Sequence, residues 1–224
     1  MEAAGYEVKR FQEVSIPNKD KDLLFYFLGL ISTDGHLLLD ENNKKYKTML
    51  FTSNEEEKEK IISLVNKLFD YKASIREKKY GYGKKINYEI YISSKKLCKF
   101  LNEKMGFPSG SKSLSLSIPQ RILDSKKKKI LHYLRGVIDG DGSVIKTKKY
   151  SALKIFSGSE KFIKEIKEIF DSLGFEGKIF RERKRLWIFR IHNKKHLREL
   201  YPLIYKNCGK FCYKRKRDIW KQYI

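Results

Sequence analysis

One pattern occurs twice in this chain. Tyr26-Phe27-Leu28-Gly29-Leu30-Ile31-Ser32-Thr33-Asp34-Gly35 and Tyr133-Leu134-Arg135-Gly136-Val137-Ile138-Asp139-Gly140-Asp141-Gly142 share tyrosine, glycine, isoleucine, aspartate and glycine at a constant offset of 107. An internal repeat constrains architecture more than any composition does, because both copies must build the same supersecondary unit. The segments after the two copies also repeat in kind. A β-type stretch ends at Phe51-Thr52-Ser53 or at Phe156-Ser157-Gly158, and an amphipathic helix comes next. Ile61, Leu64, Val65 and Leu68 match Ile166, Ile169, Phe170 and Leu173 at offset 105, with the i, i+3, i+4, i+7 spacing of one buried helical face.

Two alternating segments come next in each half. The first half has them at Ala73–Lys78 and Ile86–Ile92 around the turn-prone Gly81-Tyr82-Gly83. The second has them at Lys178–Arg183 and Leu186–Ile191 with a shorter turn. Period-2 alternation beside such turns predicts an antiparallel hairpin with one buried face. A helix closes each half, Ser94-Lys95-Lys96-Leu97 matching Asn193-Lys194-Lys195-His196 at offset 99, as shorter loops in the second half require. The expected fold is therefore α+β: duplicated αββαββα units, residues 1–107 and 129–224, joined by a Ser-, Gly-, Pro- and Lys-rich linker over 108–128.

The charge restricts the partners. Fifty Lys+Arg against 27 Asp+Glu give a net charge of +23, which repels itself unless a polyanion compensates it. No apolar run reaches the roughly 18 residues of a membrane span, and the N-terminus lacks a signal-peptide core. Three cysteines, Cys98, Cys208 and Cys212, are too few and too odd for a disulfide framework. These observations predict an intracellular protein, in cytoplasm, nucleus or organelle, that binds nucleic acid and no membrane. Charge alone does not separate DNA from RNA, or an enzyme from a basic RNA-coating protein.

The decapeptides do. Phe27–Gly35 and Leu134–Gly142 resemble the nine-residue signature of the LAGLIDADG homing endonucleases, in their single-chain, two-motif form. The repeat order resembles that family's fold over most of the chain. The resemblance implies saddle-like antiparallel sheets, pseudo-two-fold symmetric about two packed motif helices. Those helices read as Leu23–Asp34 and Ile130–Asp141, each ended by a glycine able to take a left-handed cap. Gly29 and Gly136 each cost about 0.5–1 kcal/mol relative to alanine in mid-helix, and a close approach of two helix backbones would compensate. Asp34 and Asp141 then stand at helix C-termini, where the macrodipole disfavours negative charge, and beside each other, where like charges repel. A rule broken twice at matched positions asks for a functional reason. Divalent metal supplies one, since carboxylate oxygens suit Mg²⁺. A calcium-loop reading of Asp139-Gly140-Asp141-Gly142-Ser143 fails, because its sixth position is Val144 and its twelfth Tyr150.

The resemblance implies the remaining site. Asp34 and Asp141, with Thr33 and Gly140 just before them, would hold Mg²⁺, about two or three divalent ions with Mn²⁺ or Ca²⁺ as substitutes. A basic residue after the last helix of each half would serve each cleavage centre, Lys112 in the first and Lys214 in the second. Ser53 and Ser157 would occupy the pocket position at the end of the second strand, where the family often uses a longer amide. The outward sheet faces would read DNA through Lys47, Arg76, Lys78, Lys85, Tyr88, Lys154, Arg181, Arg183 and Arg190. The tail Lys210–Ile224, with six basic residues against one acid, suits backbone contact.

The function implied is site-specific, metal-dependent double-strand cleavage of a long asymmetric DNA target by a monomer, an intron-encoded and free-standing enzyme with no flanking splicing domain. The alternative on the same scaffold is a non-cutting binder, an RNA maturase acting on intron RNA or a DNA-binding regulator. Retention of both aspartates favours cutting. One further constellation stays open: His192-x₃-His196 and Cys208-x₃-Cys212 have spacings a structural zinc could use, and buried apolar cysteine is the other reading.

Overall fold

The computed structural model describes residues 13–17, 21–80, 85–147, 150–206 and 208–222. The turn at Gly81-Tyr82-Gly83 and the side chain of Lys85 lie outside the described residues. In the first half, helix α1 (Asp22–Asp34) leads into strands β1 (Gly35–Asp40) and β2 (Lys45–Thr52). Helix α2 (Glu55–Phe69), strands β3 (Ser74–Tyr80) and β4 (Lys85–Ile92), and α3 (Lys95–Lys99) come after it, the last prolonged by a π-helical turn, Phe100–Lys104. A short helix, α4 (Gln120–Leu123), lies in the join. The second half repeats the order: α5 (Lys127–Asp141), β5 (Gly142–Lys146), β6 (Ser151–Ser157), α6 (Glu160–Ser172), β7 (Lys178–Arg183), β8 (Leu186–Ile191) and α7 (Lys194–Tyr205). A last helix, α8 (Lys214–Lys221), lies at the end of the described residues. The sheets are antiparallel, in orders β1-β2-β4-β3 and β5-β6-β8-β7. The α+β duplication read from the sequence is the fold.

Local chemistry sets the boundaries. Asn54 and Ser159 stand at equivalent places and cap α2 and α6, accepting from Glu57 N and Phe162 N. Ser94 and Asn193 do the same for α3 and α7. On the sheets, Leu37, Leu50, Ile90 and Ile92 in one half, and Leu153, Ile155, Phe189 and Ile191 in the other, are at most 2% exposed and face the helices. The alternate residues form the outward faces.

The halves join through α1 and α5, which pack at backbone contact. A Cβ on Gly29 would fall 2.2 Å from Tyr133 O and 2.8 Å from Gly136 Cα. A Cβ on Gly136 would fall 2.2 Å from Tyr26 O. Symmetric tyrosines cross this seam: Tyr26 Oη donates to Asp139 Oδ2 at 2.8 Å, and Tyr133 Oη lies 2.8 Å from Ser32 Oγ. The motif-ending glycines depart from the expected left-handed caps. Gly35 (φ −96°) and Gly142 (φ −77°) are extended. Glycine is needed there because the chain turns back against its own helix, leaving a Cβ 2.5 Å from Ile31 Cα or 2.3 Å from Ile138 O.

Candidate active site

The seam brings the ends of α1 and α5 together, and with them Asp34 and Asp141. A Cβ on Gly140 would sit 1.9 Å from Thr33 Oγ1 and 2.9 Å from Asp34 Oδ2, so the second motif approaches the first acid closely. Burial first, and the neighbouring Asp141 charge second, raise the Asp34 carboxyl to about 7. Burial also raises Asp141, against the opposing pull of Lys216 and Lys112. Two acids thus share a partly desolvated space in which neither ionises easily.

Each acid has a lysine near it, and each lysine is anchored on carbonyls at the end of its motif helix. Lys112 donates to Ile31 O and, at 2.6 Å, to Ser32 O. In the second half the residue in that place is Lys216, which donates to Ile138 O at 3.0 Å, to Asp139 O and to Gly140 O. Lys214, the expected counterpart, begins α8 with an exposed side chain. The reason is helical phase: Lys216 is one of the two buried residues of α8, while Lys214 stands on its solvent side. Burial lowers the Lys112 ammonium to about 8 and lowers Lys216 as well, with the aspartates opposing both shifts.

Asp139 fixes the segment that carries Lys216. It is 1% exposed and accepts from Tyr26 Oη (2.8 Å), Tyr205 Oη (2.6 Å) and Tyr213 N (2.8 Å). Its symmetry mate is Ser32, so the two lysine segments are tied down by different chemistry.

The pocket serines need one correction. Gly35 pairs with Leu50 and Gly142 with Ile155, so Ser157 corresponds to Thr52 and not to Ser53. Ser53 is exposed. Thr52 Oγ1 accepts from Asn54 N at 3.2 Å as Ser157 Oγ accepts from Ser159 N at 3.1 Å. Thr52 also donates to Glu57 Oε2 at 2.9 Å, and Arg215 lies 3.2 Å from Glu57 Oε1. Glu57 is a third acid whose charge bears on Asp34, and the sequence reading missed it. Its equivalent in the other half is Phe162, so nothing in the repeat marks it.

The donor set fits a divalent cation of the Mg²⁺ kind. Among the described residues no group of three or more His, Cys, Asp and Glu is placed to hold a metal alone. Mg²⁺ is held by one or two carboxylates with waters and substrate phosphate completing its shell, and two partly buried carboxylates provide that. The Gly140 carbonyl already accepts from Lys216 and retains a second lone pair. Thr33 Oγ1 instead bonds back to Leu30 O and Gly29 O within α1. The His–Cys constellation is not assembled as a metal site. His192 and His196 line a separate cavity beside Glu176, whereas Cys208 and Cys212 are buried free thiols next to Arg217.

A groove of about 650 Å³ runs from Asp141, Lys112 and Ser157 onto the outward face of the first sheet, where His36, Met49, Phe51, Arg76, Lys78 and Glu89 line it. Strand register places Lys47, Arg76 and Lys78 on this face and Lys154, Arg183 and Arg190 on the corresponding face of the second sheet. Two expected readers lie elsewhere. Tyr88 pairs with Thr52 on the helix side, is 7% exposed and bonds Glu55. Arg181 pairs with Trp187, on the side of the buried Phe189, and lies 5.4 Å from the Trp187 ring. The outward aromatic of β4 is Tyr91, with Lys47 5.4 Å from its ring.

A family model described as a LAGLIDADG-like domain matches residues 22–105 and 128–205, more than half of the chain. The chain therefore belongs to the LAGLIDADG family, in its two-motif form. The homing endonuclease I-ApeI of Aeropyrum pernix is 26% identical over 153 residues, covering 67% of this chain and 66% of that protein. A probable cell division protein WhiA of Clostridium acetobutylicum is 26% identical over 181 residues, covering 79% of this chain and 56% of its own length. The chain thus spans between about half and two thirds of these curated relatives. The structure of I-DmoI in complex with DNA and Mn superposes with TM-score 0.61 at 20% identity, covering 82% of this chain and 97% of the other. The N-terminal LAGLIDADG domain of DUF199/WhiA gives TM-score 0.57 at 15% identity, covering 91% and 87%. At these identities the likeness is one of fold.

Proposed function

We propose that this protein is a site-specific, metal-dependent homing endonuclease that makes a double-strand cut in a long, asymmetric duplex. The observation that carries the reading is the pairing of Asp34 and Asp141 at the seam, each with a carbonyl-anchored lysine beside it. A structural role does not explain two acids at helix C-termini, both raised by burial and Asp34 also by the charge of Asp141. Asp34 and Asp141 would hold Mg²⁺, or Mn²⁺ or Ca²⁺ in its place, with the Thr33 and Gly140 carbonyls near at hand. Bound there, such ions supply Lewis-acid charge to the scissile phosphate.

The chain's own groups do the rest. Lys112 and Lys216 face the charge that builds on phosphate oxygens. With its ammonium lowered to about 8, Lys112 can also hand over or take up a proton near neutral pH. Ser157, which lines the groove with Asp141 and Lys112, would help to orient a water, and Thr52 holds the same register position in the first half. The outward faces and the basic tail supply phosphate and base contacts for duplex DNA. The division into repeats 1–107 and 129–224 about the linker 108–128, the monomeric state and an intron-encoded origin belong to the same proposal. The assay is incubation of a randomised duplex library with protein and Mg²⁺, followed by sequencing of the ends. Recurrent paired cuts at one motif support the reading. Tight, salt-sensitive binding of DNA or intron RNA without cuts would replace it with a regulator, as the WhiA likeness suggests, or a maturase.

A further inference from the structure

The repeat permits a residue-by-residue comparison of the two outward faces, and their centres differ in chemistry. In the first sheet, register sets Phe51 opposite Glu89 and Glu89 opposite Arg76. The same places in the second sheet hold Phe156 opposite Ile188 and Ile188 opposite Phe180. The equivalence is fixed because Leu50 and Ile155, one residue before Phe51 and Phe156, both pair with the motif-ending glycine. Hence an acid–guanidinium pair in one half stands where the other half has an apolar pair.

The charged pair is held in place. Glu89 accepts from Lys78 and has Arg76 Nη1 3.9 Å from its other oxygen. The Glu89 side chain is 13% exposed and that of Arg76 57%. The acid is thus sunk in the face while the guanidinium is displayed. In the second half Phe180 is 37% exposed, Ile188 is 7% exposed, and the Arg190 guanidinium lies 4.1 Å from the Phe180 ring centre. That stacking keeps the guanidinium against the ring.

In the major groove, Arg pairs with guanine O6 and N7, and a carboxylate accepts from cytosine N4. Either contact selects a G·C pair. An apolar centre offers no hydrogen bond and fits the C5-methyl of thymine. Discrimination runs both ways. An A·T pair under Arg76 would set the adenine N6 amine against the guanidinium where guanine O6 would accept, and a G·C pair under Phe180 and Ile188 would bury base edges that these two side chains cannot hydrogen-bond. We infer that the first half reads a G·C pair through Arg76 and Glu89, and that the second half reads a thymine methyl through Phe180 and Ile188 at the symmetry-related position. This inference rests on the DNA-binding reading above and deepens it by stating which base pairs the two half-sites carry.

The test is selection of bound duplexes from a randomised library by the full-length protein in EDTA, where no cutting occurs. The expected consensus has G·C at one position of one half-site and thymine at the pseudo-symmetric position of the other. Arg76→Ala lowers preference at the G·C position by about tenfold, the worth of one bidentate pair, and leaves the other half unchanged. Uracil in place of the second-half thymine weakens wild-type binding by about fourfold, the worth of one buried methyl. The graft Phe180→Arg with Ile188→Glu turns the second-half preference to G·C. If the graft does not fold, the uracil measurement on the wild-type protein decides. A consensus with like base pairs at both positions, a G·C preference intact in Arg76→Ala, or binding indifferent to uracil overturns the inference. Absence of any duplex binding overturns the DNA reading itself, and the inference falls with it.

Discussion

Gly29→Ala sets two rules against each other with opposite signs. By helix propensity alone, alanine in the middle of α1 stabilises by about 0.5–1 kcal/mol. The seam says the reverse, because the new Cβ meets Tyr133 O at 2.2 Å, Gly136 Cα at 2.8 Å and Val137 N at 2.9 Å, all backbone atoms of α5. No side-chain rotation relieves these contacts; the helices must part, and seam bonds such as Tyr26 to Asp139 lengthen with them. Overpacking of this kind costs about 1–3 kcal/mol, the upper end applying where backbone is displaced. A net loss of about 1–2 kcal/mol in urea denaturation is expected for Gly29→Ala, and the same for Gly136→Ala, whose Cβ meets Tyr26 O at 2.2 Å. The double variant should cost less than the sum, since the separation that admits one methyl admits the other. Because Asp34 and Asp141 ride on the ends of these helices, cleavage should fall more than stability. Alanine variants as stable as wild type or more so, or strictly additive costs, would refute the backbone-contact account.

Other expectations come from the same geometry. Lys216→Met and Lys112→Met should each lower the single-turnover cleavage rate by about a hundredfold while Lys214→Met leaves it nearly unchanged, as measured on a cleavable duplex. The Asp34 carboxyl ionises at about 7 in the folded, metal-free protein against an ordinary 3.8. The folded state then holds more protons than the unfolded between these values, so the metal-free Tm should fall as pH rises through this window. Mg²⁺ competes with that proton and should raise Tm more at about pH 8 than at about pH 5; an equal rise at both would count against Asp34 as a ligand. Tyr26→Phe removes a donor from the buried Asp139 and should cost about 1.5–3 kcal/mol, whereas Tyr133→Phe, whose partner is the neutral Ser32, should cost about 0.5–1.5 kcal/mol by chemical denaturation.

The fold was legible because the repeat supplied the same information twice. Alternation and helical spacing agree in both halves, and Lys178–Arg183 and Leu186–Ile191 are the observed bounds of β7 and β8. The acids were legible because two motifs at one offset break the same electrostatic rule. What sequence left unread was phase. Lys214-Arg215-Lys216-Arg217 is a run of cations in which only the turn of α8 decides which one is buried. Spacing carried a signal, since Lys112 follows Asp34 by 78 residues, Lys216 follows Asp141 by 75 and Lys214 by only 73. The helix after the second strand matches at offset 105, which pairs Ser157 with Thr52, and Ser53 misses that place by one. Tyr88 failed by the same single step, on a strand whose outward aromatic is Tyr91. Glu57 carried no signal, because Glu55-Glu56-Glu57 looks like an ordinary acidic first turn and its burial comes from Thr52 and the distant Arg215.

The most direct test of the central claim is strand-resolved cleavage of a selected target duplex with Mg²⁺ by wild type and by Asp34→Asn/Asp141→Asn, with duplex affinity measured in parallel. The account predicts paired cuts by wild type, no cuts by the double variant, and affinity retained by both. Cutting by the double variant at the wild-type rate would contradict it.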